Sequence, residues 1–496
     1  MFWQRHKYGL IIFTFLILLL LSLSVLGKMF LAQDDSGGGF RTFYSEQEDI
    51  DVMIFGSSHA ACTINNAQLF KEDGIASYTL SAGAQTIPQT YWYMKEAFAF
   101  RKPKVALVET YLAAQAPMPA EESDAKIDSE AVDEAIRGEL YRSDLSMRFS
   151  PRYVQMVLTQ ARDYRMSSKL YNALLLKWPF IHSRYAELGR ESLENTTQYI
   201  RGYKGNSSVY GVDLRPEVTE DRQPVSPLNL RYISKIIELC RKSNVQLVFF
   251  TAPYPCTMDE MARENTIQDL AEKSGVPFYN FNTMTNQLGM DFSTDLRDDG
   301  NHLNNRGAAK VTAAMEEILK KYELPDRRES EGYDKWYQHQ QWLDNKAYAE
   351  ELAKTTDMME YSEKLAAQEN QYIVLISMTG NYDAQGVAQY QEALLELGID
   401  AGDYQQGGTA IFDHGRLRWY SGQEKLFQHQ EDTRGRRLFV EQTESGAGAW
   451  LGQMELTVPE NGFSVLVYDD ELDQIVDQTY MDVYETTELT HISRQN

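Results

Sequence analysis

The chain has 496 residues, more than one hydrophobic core usually covers, so two or three domains are expected. Its 43% hydrophobic, 12% aromatic and 24% charged residues are those of a folded protein and exclude long disorder. The formal charge of −24 repels phosphate backbones, so no nucleic-acid partner is expected.

Twenty residues without a charge run from Tyr8 to Gly27, the length a helix needs to cross the hydrocarbon core. Arg5 and Lys7 precede the run, and Asp34 and Asp35 follow it. The positive-inside rule then puts the N-terminus in the cytoplasm and the bulk of the chain outside the cell membrane. An uncleaved transmembrane anchor at 8–27 is favoured over a cleaved signal peptide, whose apolar region is shorter. Residues 28–49, with Ser36-Gly37-Gly38-Gly39, read as a flexible linker.

From 50 to 323 strands and helices alternate. The apolar runs Asp51–Phe55, Ile75–Leu80, Val105–Glu109, Val245–Thr251 and Val276–Phe281 read as buried strands. Gln85–Phe100, Leu228–Lys242, Met258–Ser274 and Asn305–Tyr322 read as helices. Continuous apolar strands alternating with helices mean a parallel sheet covered on both faces. Residues 112–226 interrupt the alternation as an insertion. Its first part is acidic, its middle (150–181) helical, and its place above a strand end suits a cap or lid. Residues 324–371 read as a charged helical connector. Beyond it, Tyr372–Ser377 reads as a strand and Ala384–Leu397 as a helix. Short strands with turns at Gly407-Gly408, Asp413-His414-Gly415 and Glu460-Asn461-Gly462 follow, so 372–496 is expected to be a small α/β or β-sandwich-like domain.

Cys62, Cys240 and Cys256 form no C-x-x-C pair and no zinc spacing. They read as buried apolar residues, with a Cys240–Cys256 bridge as the alternative. The chemistry lies elsewhere. The first strand runs into Gly56-Ser57-Ser58-His59, which places a hydroxyl beyond a strand's carboxyl end beside the N–H groups of the next helix. Far downstream, Asp298-Asp299-Gly300-Asn301-His302 falls between the last strand and the last helix. On a compact turn Asp299 can hold one imidazole nitrogen of His302 and leave the other for Ser58. His59 is expected to be structural or substrate-contacting, because it cannot turn back onto its neighbour.

Gly56-Ser57-Ser58 and Asp299-Gly300-Asn301-His302 resemble the Gly-Asp-Ser and Asp-x-x-His blocks of the SGNH/GDSL hydrolases. The Gly-Ser-Ser form is similar to the DltD-like and alginate O-acetylation-like branches of that family. The resemblance covers about 50–323 and implies a flavodoxin-like three-layer α/β domain. It implies Ser58 as nucleophile, His302 as base and Asp299 as its orienter. It also implies an oxyanion hole of the Ser58 N–H and Gly83. The family's third donor, an asparagine after strand three, is replaced here by Glu109-Thr110-Tyr111, and Thr110 is the candidate substitute. Residues 372–496 resemble the interleukin-like EMT inducer (ILEI) domain through Tyr372–Ser377, Leu394–Ile399, Gly462–Asp469 and Val476–Asp482, which implies a non-catalytic carbohydrate-binding module, with a structural or oligomerisation domain as the alternative.

The expected function is an extracytoplasmic serine O-acyltransferase or esterase. Its expected partner is an ester-linked acyl group, foremost acetyl, on a cell-surface polysaccharide or cell-wall polymer. The alternatives are an inactive glycan-binding envelope protein and a partner of a membrane-bound O-acyltransferase. No metal or dissociable cofactor is expected, because acyl transfer through a serine needs none.

Overall fold

β-Branched and aromatic runs bounded by glycine or proline form the strands that order the first half of the chain. In the computed structural model these are β1 (Val52–Gly56), β2 (Ser77–Ser81), β3 (Val105–Glu109), β4 (Gln246–Thr251) and β5 (Phe278–Asn280). They pair in parallel in the order β2-β1-β3-β4-β5, the flavodoxin-like arrangement. The structure describes residues 39–115, 146–177, 201–367, 371–380, 408–421, 426–444, 446–482 and 488–492, with scattered positions outside these spans. The chain divides into two units, Met1–Gln340 and Gln341–Asn496.

In the first unit every residue of β1, β2 and β3 is buried, because helices cover both faces of the sheet. Side chains alternate between the faces. Met53 and Phe55 join Tyr78, Leu80, Ala106 and Val108 in one core cluster. Helices α3 (Ile87–Phe100) and α6 (Pro227–Ser243) complete it with Trp92, Tyr93, Tyr232 and Ile236. Val52 and Ile54 face the other way, with Val105, Leu107 and Val248. There α1 (Ser58–Thr63), α2 (Asn66–Asp73) and α8 (Asn305–Leu319) close the layer with Ala60, Leu69, Val311 and Met315. Helix α7 (Met258–Lys273) starts at a capping box in which Thr257 and Glu260 satisfy each other's N–H groups.

Between β3 and α6 the insertion contributes α4 (Pro151–Asp163) and α5 (Ser168–Leu176). Its acidic part lies outside the described residues. Its returning stretch runs along the free edge of β2, where the Thr79 N–H donates to the Arg201 carbonyl at 2.8 Å. Gly202 has φ +87°, and a Cβ there would lie 1.9 Å from the Thr79 oxygen, so only glycine permits this approach. The edge of the sheet is thereby covered rather than left as a pairing template. The Arg201 guanidinium, 1% exposed, stacks over Trp336 at 3.9 Å and pairs with Glu46 at 3.4 Å.

The second unit contains the end of α9 (Asp334–Leu352), α10 (Met358–Ala367) and two antiparallel sheets. The six-stranded sheet runs β15-β14-β13-β6-β7-β8 and the four-stranded one β12-β11-β10-β9. β6 is Ile373–Thr379, β7 Gly408–Asp413, β8 Arg416–Tyr420, β9 Phe427–Glu431, β10 Leu438–Thr443 and β11 Gly446–Leu451. β12 is Met454–Leu456, β13 Gly462–Asp469, β14 Gln474–Asp482 and β15 Thr490–His491. One face of the larger sheet packs on Tyr348, Leu352, Met358 and Tyr361 of the helices. The other packs Leu375, Ile411 and Leu466 on Leu438, Val440 and Leu451 of the smaller sheet. The expected connector at 324–371 is therefore divided: Tyr333 and Trp336 pack on Phe70 in the first unit, and 348–365 build the second core. The helix expected at 384–397 lies outside the described residues.

All three cysteines are buried and free, so the Cys240–Cys256 bridge is not formed. Among the described residues no helix is long and apolar enough to cross a membrane. Most of the 8–27 segment expected to do so lies outside them.

Candidate active site

β1 lies between β2 and β3, at the point where the chain switches direction across the sheet, and crevices open there in such folds. Gly56 ends the strand with φ +153°. A Cβ on it would come within 2.6 Å of the Glu109 Cβ, so the close approach of β1 to the end of β3 requires glycine. Ser57 then caps α1: its Oγ accepts the His59 N–H at 3.2 Å and donates to Glu109 Oε2 at 2.8 Å. This makes Ser58 the first residue of the helix, where an N–H has no carbonyl one turn back to bond.

The downstream loop is built to present an imidazole. Leu296 and Leu303 pair across it, and the Arg297 N–H donates to the His302 carbonyl at 2.9 Å. Gly300 makes the turn with φ +67°. Asp299 Oδ1 accepts the N–H groups of Asn301 and His302, each at 2.9 Å. Its Oδ2 lies 2.7 Å from His302 Nδ1, and His302 Nε2 lies 2.8 Å from Ser58 Oγ. The carboxylate so placed fixes the Nδ1–H tautomer and leaves Nε2 as acceptor for the Ser58 proton. Partial burial pulls the Asp299 pKa up, but the two backbone N–H groups and the imidazole outweigh it and hold it below the usual 3.8. The carboxylate therefore stays ionised beside the histidine.

The loop is held from outside by the insertion. Asn304 caps α8, accepting the N–H groups of Arg306 and Gly307 at 3.0 and 3.2 Å. Its Nδ2 donates to the carbonyls of Thr294 and Ser208 at 2.8 and 3.0 Å. Asn305 Oδ1 accepts the Tyr203 hydroxyl and the Asn206 N–H, both at 3.0 Å. Tyr210 lies over Gly300, where a Cβ would touch its ring at 3.0 Å. The returning end of the insertion thus packs against the Asp299–His302 loop.

His59 is 2% exposed and stacked on Tyr111 at 3.8 Å, with the His302 ring 4.6 Å away. Burial, reinforced by His302 and opposed by Asp299, drives its pKa well below the usual 6.5, so it is neutral. The Asn301 amide stands 3.3 Å from its Nε2. Asn301, Tyr111 and Glu109 belong to this site, although the motifs that contain them assigned them no role. An asparagine in a turn, a tyrosine starting a helix and an acid ending a strand carry no chemical signal of their own. Glu109 is fully enclosed, and burial pushes its pKa up to about 7 against the hydrogen bonds from Ser57 and Tyr111.

Among the expected oxyanion donors, Ser58 is in place. Gly83 sits in the turn two residues past Ser81, whose register partner is Gly56, so the two turns are neighbours. Thr110 does not join them. Its hydroxyl is buried and is 2.9 Å from Glu264 Oε2, 2.8 Å from Thr251 Oγ1 and 3.3 Å from the Phe250 carbonyl. A single hydroxyl proton committed to that buried network is not offered to a substrate. Among the described residues no group of three or more His, Cys, Asp or Glu is disposed to hold a metal.

The fold and this geometry define a doubly wound α/β domain with a serine–histidine–aspartate array at its switch point. No protein-family model matches the chain, and no curated protein matches it.

Proposed function

We propose that the first unit is an SGNH-type serine acyltransferase or esterase. In this reading it is anchored in the cell membrane by residues 8–27 and acts outside it on acyl esters of a surface polysaccharide or cell-wall polymer. The observation that carries the reading is the aligned array: Asp299 Oδ2 to His302 Nδ1 at 2.7 Å and His302 Nε2 to Ser58 Oγ at 2.8 Å. Ser58 Oγ attacks the ester carbonyl as its proton passes to His302 Nε2. The carbonyl oxygen becomes an oxyanion facing the N–H groups of Ser58 and Gly83. Collapse of the intermediate breaks the ester C–O bond, and His302 returns the proton to the departing alcohol. An acceptor hydroxyl then attacks the acyl-serine, giving its proton to His302, and Ser58 takes a proton back as it leaves.

A missing oxyanion donor costs about 2.7–4 kcal/mol in the transition state. With the Thr110 hydroxyl committed elsewhere, a positioned polymer hydroxyl is favoured over water as acceptor, since holding the acceptor offsets part of that loss. The test is labelling of the purified protein by a fluorophosphonate and hydrolysis of an aryl acetate. Both are expected to vanish in Ser58→Ala. Unchanged labelling and turnover in that variant would end the proposal.

A further inference from the structure

Helix α4, in the insertion, is apolar on two sides. One stripe, Tyr153, Met156 and Val157, is buried in the core. A second, Pro151, Val154 and Leu158, recurs at helical spacing on the outside, and Phe149 extends it. Phe149 is 69% exposed and Leu158 50% exposed, and with Val154 they line an open apolar groove. A surface helix needs one apolar stripe to hold it on its core, so a second stripe left in water marks a contact surface. Cations border the groove. Lys95 Nζ of α3 donates to Gln155 Oε1 at 3.1 Å, and the Arg148 guanidinium lies 5.6 Å from the Phe100 ring. Phe100 is itself 43% exposed and precedes Arg101 and Lys102. Residues 147–158 contain no acid, and the one acid in 95–104, Glu96, is buried and paired with Arg152 at 2.6 Å.

The same surface adjoins the point where the chain enters the folded unit. Phe40 and Phe43 are buried against Tyr93 and Tyr78. Tyr44 packs on Phe100 at 4.9 Å, accepts the Arg148 N–H at 3.2 Å and has the Arg148 guanidinium 4.3 Å above its ring. Only residues 28–38 separate Gly39 from the apolar run 8–27, a reach of at most about 40 Å.

We propose that this surface rests on the membrane that holds residues 8–27, with Phe149, Val154 and Leu158 in the headgroup boundary and Arg148 and Lys95 on anionic lipid phosphates. The apolar side chains take the place of a helix face lying in the interface, and the cations match the surface charge of the leaflet. A net charge of −24 repels most of the protein from an anionic leaflet, so an acid-free, cationic face is the one that can approach. So few side chains orient a tethered domain without holding an untethered one, because the tether supplies the local concentration. This contact rests on the anchor reading of residues 8–27 and is independent of acyl transfer at Ser58.

The test reconstitutes the full-length protein in vesicles of phosphatidylcholine and phosphatidylglycerol. A spin label is carried in turn by Phe149→Cys, by Leu158→Cys and by Ala313→Cys, an exposed position on α8 across the sheet, and the native thiols are buried. At 149 and 158, collision with oxygen is expected to exceed collision with a water-soluble nickel chelate about fivefold, as for a side chain in the headgroup boundary, while at 313 the chelate prevails. In vesicles of phosphatidylcholine alone the ratio at 149 is expected to halve, and an unchanged ratio would overturn the role of Arg148 and Lys95. Labels at 149 and 158 that meet the chelate as freely as the label at 313, or that meet neither reagent because protein covers them, would overturn the proposal. Protein that fails to float with the vesicles would overturn the anchor and this contact together. Floating protein with a water-exposed label at 149 would overturn this contact alone.

Discussion

Asp299 carries two tasks on two oxygens. Oδ1 ties the loop through two backbone N–H groups, and Oδ2 holds the histidine tautomer. Asp299→Asn keeps the acceptor at one atom but can place an amide donor against Nδ1, which favours the wrong tautomer. A loss of about 10⁴-fold in kcat is expected, as for comparable triads, with substrate binding little changed. Steady-state kinetics on an aryl acetate check this, and a loss confined to KM would contradict the role. Glu264, in the network that engages Thr110, yields a pH prediction. Burial raises its pKa from 4.5 to about 8. An acid whose folded pKa lies above its unfolded one keeps its proton more tightly in the native state. Its contribution is thus complete below the unfolded pKa and is lost as pH climbs through the folded value. The stability of Glu264→Gln relative to the parent should therefore rise across the window from about 4.5 to about 8. Melting temperatures that differ by a constant amount over that range would disprove the assignment.

The elements around the site act as clamps. Gly56 lets β1 approach β3, and Asn304 joins the α8 cap to the insertion and the loop. Gly56→Ala must adopt an unfavourable φ and push Glu109 aside, for an expected loss of about 1–3 kcal/mol. Asn304→Ala removes the cap, worth about 0.5–2 kcal/mol, and unties the carbonyls of Thr294 and Ser208. Asn304→Asp keeps the cap while losing the amide donors. If the clamp matters for the loop, the Asp variant recovers most of the stability but little of the activity. Recovery of both in chemical denaturation and turnover assays would mean that the cap alone suffices.

On the scale of the whole chain, the two units have separate cores, with no residue shared between the clusters on the two faces of the parallel sheet and those on the two faces of the six-stranded sheet. Differential scanning calorimetry should resolve two transitions, and Leu466→Ala should lower only one of them. That side chain is 2% exposed, and such a truncation costs about 2–5 kcal/mol. A joint shift of both transitions would show the units to be coupled. The proposed anchor predicts that the intact protein sediments with membranes and that deletion of residues 1–38 releases it with Ser58 still labelled. Soluble behaviour of the intact chain would remove the anchor from the proposal.

Sequence by itself determined the five strands of the α/β unit and its longer helices, because hydrophobic period is a local property, but not the short helices α1 and α2 that follow β1. Val105–Glu109 was legible to the residue, and the other four strands to within about three. It also singled out Ser58, Asp299 and His302, since a strand-end serine and an Asp-x-x-His turn are short patterns with known chemistry. Tertiary structure alone decided the strand order that brings residues 58 and 302 together, across 244 positions of chain. It also decided that Thr110 is spent on Glu264 and that His59 is buried neutral against Tyr111. The reason is physical: periodicity says which face of an element is buried, whereas the partner a polar group meets there depends on which distant segment packs over it.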